Sequence, residues 1–171
     1  MHAIRAITRN PLAIALVASL ALAGCGTKKT PNSAADLGLG AATPGSAQDF
    51  TVNVGDRIFF DTDSSVIRAD GQATLAKQAV WLNQYKNYRI TIEGHADERG
   101  TREYNIGLGA KRATAVRDFL ARNGVSAQRM RTVSFGKERP VAVCNDISCW
   151  SQNRRAQTVL NNRGGQVSQL H

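Results

Sequence analysis

No apolar run in this 171-residue chain is long enough to cross a membrane. The longest, Leu12 to Leu22, has 11 residues, against the roughly 20 that a spanning helix needs. Histidine is nearly missing as well: His2 lies at the apolar start and His171 ends the chain, which leaves His95 alone between them. No serine or cysteine can then be matched with a separate histidine base, so nucleophilic catalysis finds no support. A zinc site, which needs three or four converging ligands, has a single histidine to draw on. Acidic residues are outnumbered, with 13 against 22 lysines and arginines and a net charge of +9.

What is present at the start is an export signal. Arg5 and Arg9 precede the apolar run and small residues follow it, so residues 1–24 read as a signal peptide. The run closes as Leu22-Ala23-Gly24-Cys25, which resembles the lipobox of bacterial lipoproteins. That resemblance makes Cys25 a lipid-modified N-terminus, whose several acyl chains would anchor it stably to a membrane. Gly26 stands where such proteins carry an aspartate for inner-membrane retention, which favours the outer membrane with the rest of the chain in the periplasm. Without residues 1–24 the chain keeps a net charge of +7, two below the whole. In an exported protein that charge meets anionic envelope polymers, and no nucleic acid is expected as a partner.

Residues 25–48, from the anchor cysteine on, are dominated by Gly, Ala, Ser, Thr, Pro and Asn with no sustained apolar period, and read as a flexible linker. Residues 162–171 read as a disordered tail, which leaves 49–161 as one domain. Val52, Val54, Ile58 and Phe60 alternate as a first strand or hairpin. Asp70 is a good N-cap for a helix bearing Leu75, Ala79 and Leu82. A strand follows over 89–94, then a helix from Glu103 to Asn123 closed by Gly124, strands over 131–135 and 155–160, and between those two a loop over 137–150 with room for a short helix. The order β-α-β-α-β-β predicts an α/β sandwich, a mixed sheet with helices packed on one face. Cys144 and Cys149 lie close in an oxidising compartment, so a disulfide between them is expected.

The stretch from Glu93 to Arg112 concentrates the chemistry. Asp97 sits on a tight turn where a strand ends, while Asn105, Leu108 and Arg112 share one face near the start of the next helix. Turn and helix together form a small polar pocket with one negative and one positive side chain. The residues alone leave two readings open: a ligand carrying both charges, or an internal Asp97–Arg112 salt bridge. Glu93, His95 and Asp97 would share a strand face if the strand ran on, a donor set for a divalent metal and hence for a metal-dependent cell-wall hydrolase. Gly94 and the turn after Asp97 end the strand instead, so neither metal nor cofactor is expected. Gly107-Leu108-Gly109 falls inside the helix and lacks the third glycine of a dinucleotide fingerprint. Its glycines suit the close approach of another backbone or of a ligand.

The series Gly94-His95-Ala96-Asp97-Glu98-Arg99-Gly100-Thr101, then Tyr104-Asn105, Leu108 and Lys111-Arg112-Ala113, resembles the peptidoglycan-binding motif of the OmpA-like family. Residues 133–140 and Asn153-Arg154-Arg155-Ala156 resemble two further segments of that family. The resemblance implies noncovalent binding of the diaminopimelate residue of the cell-wall stem peptide, with no enzymatic activity. Asp97 would take the ligand ammonium and Arg112 its carboxylate. Further contacts carry over to Thr62, Asp63, Arg99, Thr101, Asn105 and Leu108, with Thr62 standing where relatives often have an aromatic residue. The family also implies the Tol envelope system, with the β-propeller protein TolB as a partner.

Overall fold

Residues 42–161 are described by the computed structural model. The expected signal peptide, Cys25, most of the linker and the tail lie outside the described residues.

Folded structure begins before the expected boundary. Ser46 accepts the backbone N–H of Asp49 and caps a single helical turn, Ala47–Asp49, which passes into a π-helical turn, Phe50–Val54. The alternation of Val52 and Val54 is therefore not that of a strand, and only Arg57–Phe59 (β1) is extended. Phe50 is the side chain that anchors this segment, buried with its ring 4.9 Å from that of Trp81. Asp49 accepts the Trp81 indole N–H at 2.8 Å, so a local hydrogen bond and one aromatic contact outweigh a two-residue period.

Helix α1 (Ala69–Gln84) has Arg68 at its N-cap position, with no side-chain cap bond, and Asp70 sits inside the first turn. There its carboxylate favours the helix dipole and pairs with Arg68 at 3.2 Å. Leu75, Ala79 and Leu82 face the core as their spacing requires. Strand β2 (Arg89–His95) leads to helix α2 (Arg102–Arg122), whose N-cap is Thr101, its hydroxyl accepting the Tyr104 N–H. Gly124, at φ +89°, turns the chain out of α2. Strand β3 (Met130–Gly136) follows, then a short helix α3 (Ile147–Asn153) inside the expected loop, then β4 (Arg155–Asn161). A disulfide joins Cys144 to Cys149, their Cα atoms 5.7 Å apart.

The sheet order is β1-β4-β2-β3, with β2 and β3 parallel and β4 antiparallel to both its neighbours. Ile58, Ile90, Ile92 and Ala156 project to the face covered by α1 and α2, where they meet Leu75, Leu82, Val116 and Leu120. Against the end of β2 the helix comes so close that a Cβ on Gly94 would overlap the Gly109 carbonyl. That close approach seats the first turns of α2 beside the end of β2 and fixes where the polar pocket forms.

Candidate functional site

Three segments converge at the C-terminal end of β2: the loop after β1, the turn after β2 and the first turns of α2. The turn is built around Asp97, which is only 7% exposed. Its carboxylate accepts the backbone N–H and the guanidinium of Arg99, the shortest contact 2.7 Å, and Nη1 of Arg154 at 3.3 Å. Burial pushes the Asp97 carboxyl up, but these hydrogen bonds outweigh it and hold the group below its ordinary value. Asn105, also buried, ties the turn to the helix by donating to the Arg99 carbonyl at 2.7 Å.

Arg112 is fully buried, and its guanidinium is turned onto main chain instead of onto a carboxylate. Nε donates to the Ser64 carbonyl at 2.8 Å, Nη1 to that of His95 at 2.7 Å and Nη2 to that of Asp61 at 3.0 Å. The plane lies over the Phe60 ring, 5.0 Å from its centre. Burial and the neighbouring Arg154 pull its pKa down to about 10, which leaves it cationic at neutral pH. Of five guanidinium donors, one on each terminal nitrogen stays free of these bonds. The internal Asp97–Arg112 bridge is thus not formed: each side chain has other partners, and the two face the same hollow.

That hollow is a cavity of about 240 Å³ lined by Thr62, Asp63, Asp97, Arg99, Asn105, Leu108 and Arg112, together with Gly100 and Tyr104. Of the residues carried over from the family motif only Thr101 is absent, because its hydroxyl is spent on the helix cap. Thr62 lies within reach of Arg99, at 3.4 Å. Asp63 adopts φ +54° and accepts the hydroxyl of Tyr104, which raises the pKa of that phenol. The cavity wall therefore carries carboxylates and a buried guanidinium over an apolar floor that includes Leu108, a lining for a small zwitterionic group.

Three side chains of this neighbourhood have no site role in the sequence reading, although Tyr104 and Arg154 fall in its family-like segments. Tyr104 carries a visible signal, since it lies one turn before Leu108 on the same face. Arg154 lies in the family-like segment Asn153-Arg154-Arg155-Ala156 but has no local link to Asp97, and Trp150, remote in sequence, carries no signal. Arg154 braces Asp97 while donating to the Phe60 carbonyl at 3.0 Å, and Trp150 lies under the Arg99 guanidinium at 4.3 Å.

Glu93, His95 and Asp97 do not converge, and among the described residues no three metal-ligating side chains gather. His95 is buried against Phe135, its Nε2 3.7 Å from the Glu93 carboxylate, with neither ring nitrogen hydrogen-bonded. Burial lowers its pKa below the usual value of 6.5. The metal reading fails on geometry, because the chain turns away after His95 and Asp97 is engaged by two arginines. Among the described residues no helix is long and apolar enough to cross a membrane.

The sequence model of the OmpA family matches residues 59–161. A peptidoglycan-associated lipoprotein of Mesorhizobium japonicum is 73% identical over 96% of this chain and 99% of its own length. One of Rhizobium meliloti is 73% identical over 92% of each chain. Both relatives are named as lipoproteins and not as enzymes. Among solved structures, the peptidoglycan-associated lipoprotein of Burkholderia pseudomallei is 45% identical and matches with a TM-score of 0.61, over 62% of this chain and 90% of that one. The C-terminal domain of Helicobacter pylori MotB, at 22% identity and a TM-score of 0.59, over 63% of this chain and 84% of that one, shares the fold. With its β1-β4-β2-β3 sheet, its family match and these near full-length identities, the chain belongs to the OmpA family, among the peptidoglycan-associated lipoproteins.

Proposed function

We propose that this chain is an outer-membrane lipoprotein, anchored through lipid on Cys25, that holds peptidoglycan noncovalently by the diaminopimelate residue of the stem peptide. It works from the periplasm within the Tol-Pal system, with TolB and other Tol proteins as partners. The observation that carries the wall-binding reading is one cavity lined by both Asp97 and Arg112, neither paired with the other. The names of the relatives, given for association with peptidoglycan, support the same ligand class.

The free end of diaminopimelate bears an ammonium and a carboxylate. Arg112 meets the carboxylate with its two remaining N–H groups, while its other three hold the cavity wall in place. Asp97 meets the ammonium. Its oxygens already take Arg99 and Arg154, and Arg99, with 41% of its side chain exposed, is the partner that gives way. The methylenes that join this free end to the peptide-bonded end lie along Leu108.

The test is co-sedimentation of the chain with purified peptidoglycan. Asp97→Asn keeps the shape of the side chain and removes its charge, and is expected to lose pull-down by at least about tenfold, the factor that 1.4 kcal/mol represents. Unchanged binding by Asp97→Asn and by Leu108→Glu, both still folded by circular dichroism, would overturn the assignment. Recovery of TolB with the lipidated chain from cross-linked envelopes tests the partner.

A further inference from the structure

The opposite end of the sheet carries a different chemistry. Lys86, Arg89, Ser126, Gln128 and Arg129 line a second hollow, of about 170 Å³, with no acidic side chain in its wall. It opens at the start of β2, six residues and so roughly 20 Å from the pocket at its end. Arg129 is built into the fold here, donating to the carbonyls of Leu82, Tyr85 and Tyr88. Lys86 and Arg89 are exposed, and Arg131, two residues into β3, is exposed beside them. Among the described residues, Lys86, Arg89, Arg129 and Arg131 take part in no ion pair, whereas Arg99, Arg102 and Arg154 at the other end each pair with a carboxylate. At the cavity end three arginines are matched by carboxylates. The other end leaves a cluster of positive charge without a partner.

The chain arrives from its N-terminal side at this same basic end. Tyr88 donates its hydroxyl to the Gly45 carbonyl at 2.8 Å, and the Tyr85 ring packs beside Gly45. Sixteen residues separate Cys25 from Ala42, a span of at most about 60 Å even when fully extended. Lys28 and Lys29 follow Cys25 almost at once, so the sequence places further positive charge next to the expected anchor.

We infer that the basic end formed by Lys86, Arg89 and Arg131 docks on the phosphate headgroups of the phospholipid leaflet that holds the anchor. The inference takes the Cys25 anchor of the proposed function as its setting. A short leash keeps the local concentration of that surface high, so contacts that are each weak suffice. Basic side chains near an anionic leaflet add their attraction within about a Debye length. Docked this way, the domain turns its other end, with the Asp97 cavity, away from the bilayer and toward the wall.

The chain from residue 25 onward, carrying Cys25→Ser so that no acyl group contributes, is sedimented at low salt with phosphatidylcholine vesicles with and without phosphatidylglycerol. Binding is expected only where phosphatidylglycerol is present. The triple variant Lys86→Glu, Arg89→Glu, Arg131→Glu should weaken it on the order of a hundredfold, with thermal unfolding and peptidoglycan pull-down unchanged. Asp97→Asn should show the reverse, losing the wall and keeping the vesicles. Equal sedimentation with both vesicle types, or equal binding by the triple variant, would overturn the inference. So would capture by soluble polyglutamate without any by the vesicles, which would make the partner an acidic protein. Vesicle binding by a chain that never binds peptidoglycan would refute the wall reading and leave this one standing.

Discussion

Asp97 and Arg112 line the same cavity and make no bond to each other. Asp97 is held by Arg99 and Arg154, whereas Arg112 is held by the carbonyl oxygens of Asp61, Ser64 and His95. Had they paired, their charges would have cancelled and closed the cavity. Separate partners keep both charges fixed in its wall, which is what recognition of a zwitterion needs.

The depressed pKa of Asp97 sets a pH window. Its contribution to stability is fully present above the unfolded value of 3.8 and is lost as pH falls through the lower folded value. Peptidoglycan pull-down is therefore expected to hold between about pH 7 and 5 and to fail only below about pH 4. Co-sedimentation across this range checks it, and failure near pH 6 would assign the ammonium contact to another group.

His95 acts in the same direction, but from a higher pH. A buried histidine with a lowered pKa stays neutral in the fold while the unfolded chain takes up a proton below 6.5, so stability is flat above that value and falls as pH drops beneath it. Urea unfolding at a series of pH values should show this slope in the unaltered protein. His95→Gln should flatten it; a slope that persists would place the titration elsewhere.

Arg112 is a structural tie as well as the proposed ligand group. Arg112→Lys can supply only part of three carbonyl bonds, and each buried carbonyl left without a donor costs about 1–3 kcal/mol. The expected loss in urea is about 2–4 kcal/mol, with wall binding abolished at temperatures where the variant is still folded. Full stability in Arg112→Lys would show that the loop carbonyls find other donors.

Two glycines of one region should behave in opposite ways. A Cβ on Gly94 overlaps the Gly109 carbonyl, so Gly94→Ala must push α2 off β2 and is expected to cost about 3 kcal/mol. Nothing lies within 4 Å of a Cβ on Gly107, which is exposed in the helix, so Gly107→Ala should gain about 0.5–1 kcal/mol from helix propensity. Thermal melts of the two variants decide it.

Much of this protein is written in short-range sequence pattern. The apolar spacing of Leu75, Ala79 and Leu82, the turn after β2 and the helix carrying Asn105, Leu108 and Arg112 all follow from the preferences of neighbouring residues. So does the placing of Asp97 and Arg112 around one pocket, because a strand end, a turn and a helix start put them side by side. Residues 50–54 misled for the same reason, as a two-residue period in Val52 and Val54 gave way to the contacts of Phe50 and Asp49 with Trp81. What each charge touches was decided elsewhere. The β1-β4-β2-β3 order brings Asp61 and Ser64 over Arg112 and Arg154 beside Asp97, pairing residues 48 to 57 positions apart. No local period encodes a hydrogen bond across a sheet, so only the folded chain settled that the two charges face a cavity and not each other.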